Sequence, residues 1–278
     1  MPASADYDRA LLNPQSSFDD PDLRSGQVAL DQNSAPLVWS GSFANVYLLE
    51  CGARHIAVRC FLREAADRQL RYVALSNELA TLNLPFIARF IYLRNGIRVN
   101  NQWYPILKME WVNGQLLDEF VAGNLDKPER FRVLADKYLE MSQAMRQAAI
   151  AHGDLNPSNI FVANRNLKLV DYDGMYVKSL TGKDGCESGL KHYQHPMRVR
   201  SHFGPYLDNF SDWVIYITLV AYAVDPSLWS RAGVLKEFPL FQSSDFTNPA
   251  QSQTFQVIRN HPSEELRILA AYVEKLLA

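Results

Sequence analysis

The chain has 278 residues, which is enough to bury a full hydrophobic core in one large domain or two small ones. Its formal net charge of -2 argues against a nucleic acid or an anionic membrane as a partner. Cys51, Cys60 and Cys186 are odd in number and lack metal-ligand spacing, which argues against a disulfide framework. No basic stretch leads into an apolar run after Met1, so we expect a cytoplasmic protein.

The first 36 residues are rich in Asp, Ser, Asn and Pro, and their apolar residues are scattered. Leu11, Leu12, Phe18 and Leu23 are the candidate anchors of this N-terminal extension. Such a composition fits either a loose tail or a strap that lies on the next part of the chain. The sequence leaves both alternatives open.

Residues 37–112 have the pattern of short β-strands with one helix among them. The helix is predicted over 64–82 from its apolar periodicity. Asn-Gly at 95–96 and Asn-Asn at 100–101 predict hairpin-type turns. The predicted strands are 43–49, 55–62, 90–93, 97–99 and 103–111.

Residues 113–278 are mostly helical by the same criteria. Asp126, Pro128 and Glu129 predict the start of one helix, with Asp126 as its cap. The run 214–224 is too short to span a bilayer and predicts a buried helix. The apolar face of the first helix is Phe131, Leu134, Tyr138, Met141 and Met145, and that of the last helix is Leu266, Leu269, Tyr272, Val273 and Leu276. A β-rich segment followed by an α-rich one predicts an α+β fold.

The segment from His152 to Asp171 carries the strongest chemical signal. Asp154 and Asn159 lie five residues apart, and Asp171 follows twelve residues later, after the strand-like run 167–170. This spacing suits phosphoryl transfer, in which one carboxylate orients a hydroxyl nucleophile. An amide oxygen and a second carboxylate then hold Mg²⁺ on the phosphates of a nucleotide. Asp154 is therefore the candidate base, and Asn159 and Asp171 are the candidate metal ligands.

The segments His152-Gly153-Asp154-Leu155-Asn156-Pro157-Ser158-Asn159 and Asp171-Tyr172-Asp173-Gly174 resemble the H-R-D-L-x-x-x-N and D-F-G motifs of protein kinases. Further motifs agree in order over residues 37–225. The resemblance implies a bilobal protein kinase-like fold, with an N-terminal extension (1–36), an N-lobe (37–112) and a C-lobe (113–278). Residues 37–278 would form a single kinase domain. It also implies ATP and Mg²⁺ or Mn²⁺ as cofactors, and a protein substrate of unknown identity.

The resemblance extends to the residues that would bind the nucleotide. Arg59 stands where the family has the lysine that contacts the phosphates, and Glu78 is implied to be its ion-pair partner and part of the catalytic set. Gly41 is the one retained glycine of the Gly-rich loop. The remaining residues implied to contact the base are Val46, Ala57, Met109, Glu110, Val112 and Phe161.

Several positions depart from the family pattern. Gly153 replaces an Arg that receives a regulatory phosphate, and Asn156 replaces a lysine near the transferred phosphate. The resemblance also implies that His152 packs beneath the second motif and that Asp208 receives the backbone of the catalytic loop. We predict an active but slow or unusual serine/threonine protein kinase. A nucleotide-binding pseudokinase or scaffold is the alternative, and a small-molecule kinase of the aminoglycoside or choline type is a less favoured one.

Overall fold

The computed structural model describes residues 1–65, 67–231 and 238–278, except for the side chain of Arg231. The chain divides into two compact units, Met1–Val112 and Asn113–Ala278. The first unit is built on an antiparallel sheet, and the second is mostly helical. Within the described residues, no helix has the length and apolar character needed to cross a bilayer.

The N-terminal extension is a strap that packs on the sheet of the first unit, which resolves the alternative left open by the sequence. Tyr7, Leu11, Phe18 and Leu23 are fully buried in one core with the sheet. Leu12 was expected to be an anchor, but 49% of it is exposed, so that prediction was wrong. The strap contains three short helices, α1 (Ser4–Leu11), α2 (Pro14–Ser17) and α3 (Pro21–Arg24).

Polar contacts also tie the strap to the sheet. The Tyr7 hydroxyl donates to the carbonyl oxygen of Phe61 at 2.8 Å. Lys108 Nζ lies 2.8 Å from a carboxylate oxygen of Asp20 and 2.7 Å from one of Asp22. Because Asp20 also caps α3 through its side chain, one carboxylate both starts that helix and fixes it to the sheet.

The sheet of the first unit has the strand order β1-β3-β4-β6-β5, and β2 also pairs with β3. Its strands are β1 (Gln27–Val28), β2 (Val38–Ser40), β3 (Ala44–Cys51), β4 (Arg54–Phe61), β5 (Phe90–Val99) and β6 (Gln102–Glu110). Ile56, Val58 and Cys60 of β4 belong to the core shared with the strap. Since side chains alternate along a strand, Ala57 and Arg59 point to the opposite face.

A helix covers part of that opposite face. It is α4 (Arg68–Leu82), which begins four residues after the predicted start at 64; residue 66 lies outside the described residues. Tyr72 of α4 stacks on Tyr92 of β5, with ring centroids 5.9 Å apart. Tyr72, Leu75 and Leu79 form its buried stripe, as the periodicity predicted.

One predicted turn was wrong and one was right. β5 runs through Asn95-Gly96 without reversing, and its pairing with β6 shifts between Leu93 and Ile97. A Cβ at Gly96 would lie 2.2 Å from Ile106 Cγ1, so this glycine permits a close approach of two strands rather than a reversal. At 100–101 both asparagines have positive φ, 49° and 65°, and form the hairpin turn into β6.

The second unit combines helices with a small three-stranded sheet of order β7-β8-β9. The sheet contains β7 (Gln115–Leu116), β8 (Ile160–Ala163) and β9 (Asn166–Leu169). The helices are α5 (Leu117–Ala122), α6 (Glu129–Gln147), α7 (Asn209–Val224), α8 (Leu228–Arg231), α9 (Ser243–Thr247), α10 (Gln253–Arg259) and α11 (Glu264–Leu276).

Helices α6 and α7 form the centre of this unit. All five residues of the predicted apolar face of α6 are buried, and α7 is buried on most of its circumference. Asp212 on α7 links the two helices, because it accepts hydrogen bonds from Tyr138 at 3.0 Å and from Ser142 at 2.6 Å. The predicted Asp126 cap of α6 was wrong, since residue 128 occupies the N-cap and no side chain caps the helix.

The last helix follows its predicted apolar pattern in part, since Leu269 and Leu276 are only half-buried. Leu266 and Val273 of α11 are fully buried. Tyr272 was expected on the buried face, but 41% of it is exposed. Its ring lies on Trp213 of α7, with centroids 4.4 Å apart.

Candidate active site

The hairpin β8–β9 brings the two candidate metal ligands to one end of the small sheet. Ile160 at the start of β8 pairs with Leu169 at the end of β9. Asn159 therefore precedes the hairpin at the same end at which Asp171 follows it. The backbone N–H of Val170 donates to the carbonyl oxygen of Asn159 at 3.0 Å, which extends the pairing up to the residue before Asp171.

The carboxylate of Asp154 is held through both of its oxygens. Asn159 Nδ2 donates to Asp154 Oδ2 at 3.1 Å, and also to the carbonyl oxygen of Asp154 at 2.9 Å. The backbone N–H of Leu190 donates to Asp154 Oδ1 at 2.9 Å. Among the described residues, both hydrogen bonds of the Asn159 side chain use its Nδ2, so its amide oxygen is left for a cation. Amide and carboxylate oxygens are ligands that suit Mg²⁺, so the predicted donor set is chemically appropriate.

Asn156 builds the loop on which Asp154 lies. Its Nδ2 donates to the carbonyl oxygen of Asp154 at 3.0 Å, and its Oδ1 accepts from the N–H of Ser158 at 3.0 Å. Only 1% of Asn156 is exposed. The residue that stands where the family has a lysine is therefore a buried turn residue that supports the loop.

Gly153 explains why the family's arginine is absent from this loop. Its φ is +82°, and a Cβ there would lie 2.2 Å from the carbonyl oxygen of Gly174. No side chain fits at that distance, because the loop of Asp154 and the loop that follows Asp171 touch through their backbones. Ala151 and Tyr176 exchange two further backbone hydrogen bonds, of 3.1 and 2.8 Å.

His152 and Asp208 support the loop from below. Asp208 accepts from the backbone N–H of His152 and, at 2.8 Å, from that of Gly153, as the resemblance implied. His152 Nε2 lies 2.9 Å from the carbonyl oxygen of Val170. Because a carbonyl only accepts, the hydrogen is on Nε2. The ring meets Tyr172 edge-on, so His152 packs beneath the second motif as expected.

The ionised form of Asp208 is energetically unfavourable in this position. Burial raises the pKa of its carboxyl, and the negative charge of Asp212 raises it further. His152 and the two backbone hydrogen bonds lower it. The loop is therefore anchored on a carboxylate whose ionised form is stabilised mainly by the loop itself.

The second motif has an unusual backbone and is in contact with the following segment. Asp171 has φ +61°, a left-handed conformation that a non-glycine residue adopts at an energetic cost. Cys186 Sγ donates to the carbonyl oxygen of Asp173 at 2.7 Å. A Cβ at Gly174 would lie 2.4 Å from Glu187 Oε1. The segment around 186–190 thus lies against both motifs.

In the first unit, the strand register arranges the residues implied to bind the nucleotide. Val46 of β3, Arg59 of β4 and Leu107 of β6 are directly opposite one another in neighbouring strands. Residues in this relation share a face of a sheet. Ala57 is opposite Met109, and both lie on the same face, two residues along. The face opposite the strap therefore carries four of the predicted residues.

Arg59 is a buried cation on that face. Only 6% of it is exposed, which excludes an ordinary surface arginine. Its Nη1 donates to the hydroxyl of Tyr72 on α4 at 3.1 Å. Helix α4 therefore packs on the strand that carries Arg59, which is the condition for Glu78 of the same helix to reach it. The Arg59–Glu78 ion pair itself stays a prediction.

The other predicted residues are placed as follows. The N–H of Gly41 donates to the carbonyl oxygen of Ala44 at 2.9 Å and closes the β2–β3 hairpin. The N–H of Glu110 donates to Arg89, so it is not available to a base. Val112 is the last residue of the first unit. Phe161 lies on β8 in the second unit, opposite residues 116 and 168.

Sequence reasoning missed two features of the site. Trp39 of β2 and Trp111, which follows β6, form a ring pair with centroids 5.0 Å apart. The signal for it was a tryptophan where the family pattern begins with glycine. The backbone hydrogen bond of Leu190 to Asp154 was also missed, and no side chain could have indicated it.

Comparison with known proteins supports the kinase resemblance. No protein-family model matches the sequence. Calcium-dependent protein kinase 16 of Oryza sativa subsp. japonica is 23% identical over 199 residues, which cover 69% of this chain and 36% of the relative. The chain thus spans little more than a third of that relative. The solved structure of the Cydia pomonella granulovirus kinase PK-1 matches with a TM-score of 0.54 and 14% identity, and covers 92% of this chain and 89% of the viral chain.

The structural match establishes the fold, because it extends over nearly all of both chains. The weaker sequence match points to the same class of proteins. The chain has a protein kinase-like α+β fold.

Proposed function

We propose that the protein is an ATP-dependent phosphotransferase that transfers the γ-phosphate of ATP to a serine or threonine hydroxyl of a protein substrate in the cytoplasm. One observation carries this proposal. The side chain of Asn159 holds the Asp154 carboxylate, and the β8–β9 hairpin brings Asn159 and Asp171 to one end of the sheet. A chain that neither bound a metal–nucleotide complex nor transferred phosphate would have no physical need to keep these three groups.

Each group has a distinct part in the proposed reaction. Asp154 orients the substrate hydroxyl and accepts its proton, while the hydroxyl oxygen bonds to the γ-phosphorus and the bond to the bridging oxygen of ADP breaks. Asn159 and Asp171 would hold Mg²⁺ or Mn²⁺ through their oxygens. When bound, the metal ion neutralises charge on the phosphate oxygens. Arg59 would supply the positive charge of the first unit that faces the phosphates.

A specific contact favours a nucleotide-binding pseudokinase as the second candidate. Asp154 Oδ1 already accepts the N–H of Leu190, so a substrate hydroxyl must compete for that oxygen or use Oδ2. A Cβ at Gly189 would lie 2.9 Å from Asp154 Oδ1, which shows how closely the backbone covers the carboxylate. In that function the polar groups would bind nucleotide and metal without transferring phosphate.

Labelled ATP distinguishes the two candidates. The purified protein would be incubated with γ-labelled ATP, Mg²⁺ or Mn²⁺ and a mixed protein substrate. Asp154→Asn removes the base with little change in shape, and Asp126→Asn is the matched control, because the Asp126 side chain is 71% exposed and its one ion pair is with its neighbour Lys127. We expect phosphate transfer that Asp154→Asn abolishes and Asp126→Asn preserves. Absence of transfer in the unmodified protein, with ATP bound, would favour the pseudokinase.

Metal dependence tests the assignment of Asn159 and Asp171 separately from turnover. We expect ATP to raise the melting temperature only when Mg²⁺ or Mn²⁺ is present, because both side chains act on the phosphates through the metal ion. Asp171→Asn should remove most of that shift. Equal stabilisation by ATP with and without metal would remove Asp171 from its assigned role.

A further inference from the structure

Two tryptophans meet at the edge of the sheet face that is implied to bind the nucleotide. Trp39 on β2 is directly opposite Val46 on β3, and Val46 is directly opposite Arg59 on β4. Directly opposite residues share a face, so the indole of Trp39 is on the same face as the buried cation. Two strand spacings separate the backbones of Trp39 and Arg59, about 10 Å.

Trp111 completes the pair from the other side. It directly follows β6, and its ring lies 5.0 Å from that of Trp39 with a tilt of 56°. The two rings therefore touch without a parallel stack, which leaves ring surface open. The exposed fraction of Trp39 is 46%, so part of its ring is open to a ligand.

We infer that Trp39 and Trp111 form a stacking surface for the purine ring of the bound nucleoside triphosphate. Aromatic rings bind the face of a base by stacking, and this does not require hydrogen-bond readout. With the base at the tryptophan pair, the phosphates extend along the face toward Arg59. The indole thus replaces, by ring contact, part of the backbone contact that the family obtains from glycines in this hairpin.

This inference rests on the proposed nucleotide site and goes further, because it assigns base binding to a residue that the family pattern would count as a defect. A glycine at position 39 would restore the family pattern. If the indole merely obstructs the face, Trp39→Gly should tighten ATP binding. If the indole stacks on the base, the same substitution should weaken it.

Calorimetric titration with ATP and Mg²⁺ measures the difference. We expect Trp39→Gly to weaken ATP binding about tenfold, a change that corresponds to the lower part of the range for one base stacked on an aromatic side chain. Trp39→Phe keeps a ring and should lose less. Trp103→Phe is the matched control, since Trp103 is on the same sheet but faces Arg98 near the far hairpin. Its affinity for ATP should be unchanged.

A ligand without a base separates stacking from damage to the sheet. Inorganic tripolyphosphate with Mg²⁺ has the phosphates alone, so Trp39→Gly should not affect its binding. Tryptophan emission should also fall when ATP binds. Trp39→Phe should lose the part of this response that comes from Trp39, while Trp103→Phe keeps the whole response. Equal or tighter ATP binding by Trp39→Gly, or equal weakening for ATP and tripolyphosphate, overturns the inference and leaves the proposed function intact. If the unmodified protein binds no ATP, both fail.

Discussion

The loop around Asp154 and the sheet face proposed to bind the nucleotide both differ from the kinase pattern, but in different ways. In the loop, the substituted positions are Gly153 and Asn156, and each is required by the local backbone. On the sheet, the substituted positions are Trp39 and Arg59, whose side chains share one face of the sheet. In the loop, the substitutions lie beside the residues proposed for catalysis and metal binding, which are retained. On the sheet, the substitutions change the side chains that are proposed to contact the nucleotide.

This difference follows from how each region is built. Asp154, Asn156 and Asn159 bond to one another and to neighbouring backbone, so a change at one of them leaves buried polar groups without partners. A residue on the face of a sheet keeps its backbone pairing whatever its side chain is. Substitution can therefore alter ligand contacts on the sheet without unfolding it. We expect variants at Gly153 and Asn156 in the loop to act mainly on folding, and variants on the sheet face to act mainly on binding.

The largest expected effect is on folding stability at Gly153. Gly153→Ala should lower the free energy of unfolding by about 4 kcal/mol, because the added Cβ combines a backbone collision with an unfavourable φ. Gly182→Ala is the matched control, since Gly182 has the same φ of +82° but no atom within 4 Å of its Cβ position. That control should lose only about 1 kcal/mol. Urea unfolding measures both, and equal losses would show that the contact with Gly174 does not matter.

The next largest expected effect is on turnover and concerns Arg59 on the sheet face. Arg59→Lys should slow turnover about 100-fold. The forked guanidinium of arginine can bond Tyr72 and still offer N–H donors to the phosphates, whereas the single ammonium group of lysine cannot do both in the same geometry. Faster turnover would mean that the site merely tolerates arginine as a poor lysine. Tyr72→Phe removes only the hydroxyl that accepts from Arg59, so we expect a loss of about 1 kcal/mol in stability and a smaller loss in turnover. Steady-state kinetics and urea unfolding together separate these contributions.

The pH dependence of folding stability tests the role of Asp208, whose carboxylate accepts hydrogen bonds from the backbone of the loop. Burial and Asp212 raise the pKa of Asp208 from its ordinary value of 3.8 to about 6. A raised pKa in the folded state means that the folded protein binds the proton more tightly than the unfolded chain. The associated stability is fully present below about pH 4 and is lost as the pH rises through about 6.

We therefore expect the unfolding free energy, relative to Asp208→Asn, to fall by about 2–3 kcal/mol between pH 4 and pH 6. The variant cannot ionise, so its own profile across this range reflects all the other groups, including Asp212 and His152. The difference between the two urea-unfolding profiles reports the ionisation of Asp208 together with its repulsion by Asp212. A flat difference would mean that the loop's N–H groups fully compensate its burial.

The order of the residues in the loop around Asp154 could be interpreted from the sequence, but not all of the structure that surrounds this loop. The strand-like run 167–170 before Asp171 was predicted and largely forms β9, whereas its pairing with β8, which brings Asn159 and Asp171 to one end of a hairpin, was not predicted. The Asn95-Gly96 turn was wrong because pairing with β6 overrides a local turn preference. The ring pair of Trp39 and Trp111 depends on strand register, which no local pattern specifies.

The last prediction is that phosphorylation of the segment 175–196 does not control turnover. In the pattern that the chain resembles, a phosphate on the segment corresponding to 175–196 acts through an arginine next to the catalytic Asp. That position is Gly153, where no side chain fits. The contact from this segment to Asp154 is instead the backbone N–H of Leu190, which a phosphate does not replace. We therefore expect phosphatase treatment, and the combined variant Ser179→Ala, Thr181→Ala and Ser188→Ala, to leave turnover unchanged. Loss of activity after dephosphorylation, with ATP affinity retained, would show that another cation in the segment takes the role of the missing arginine.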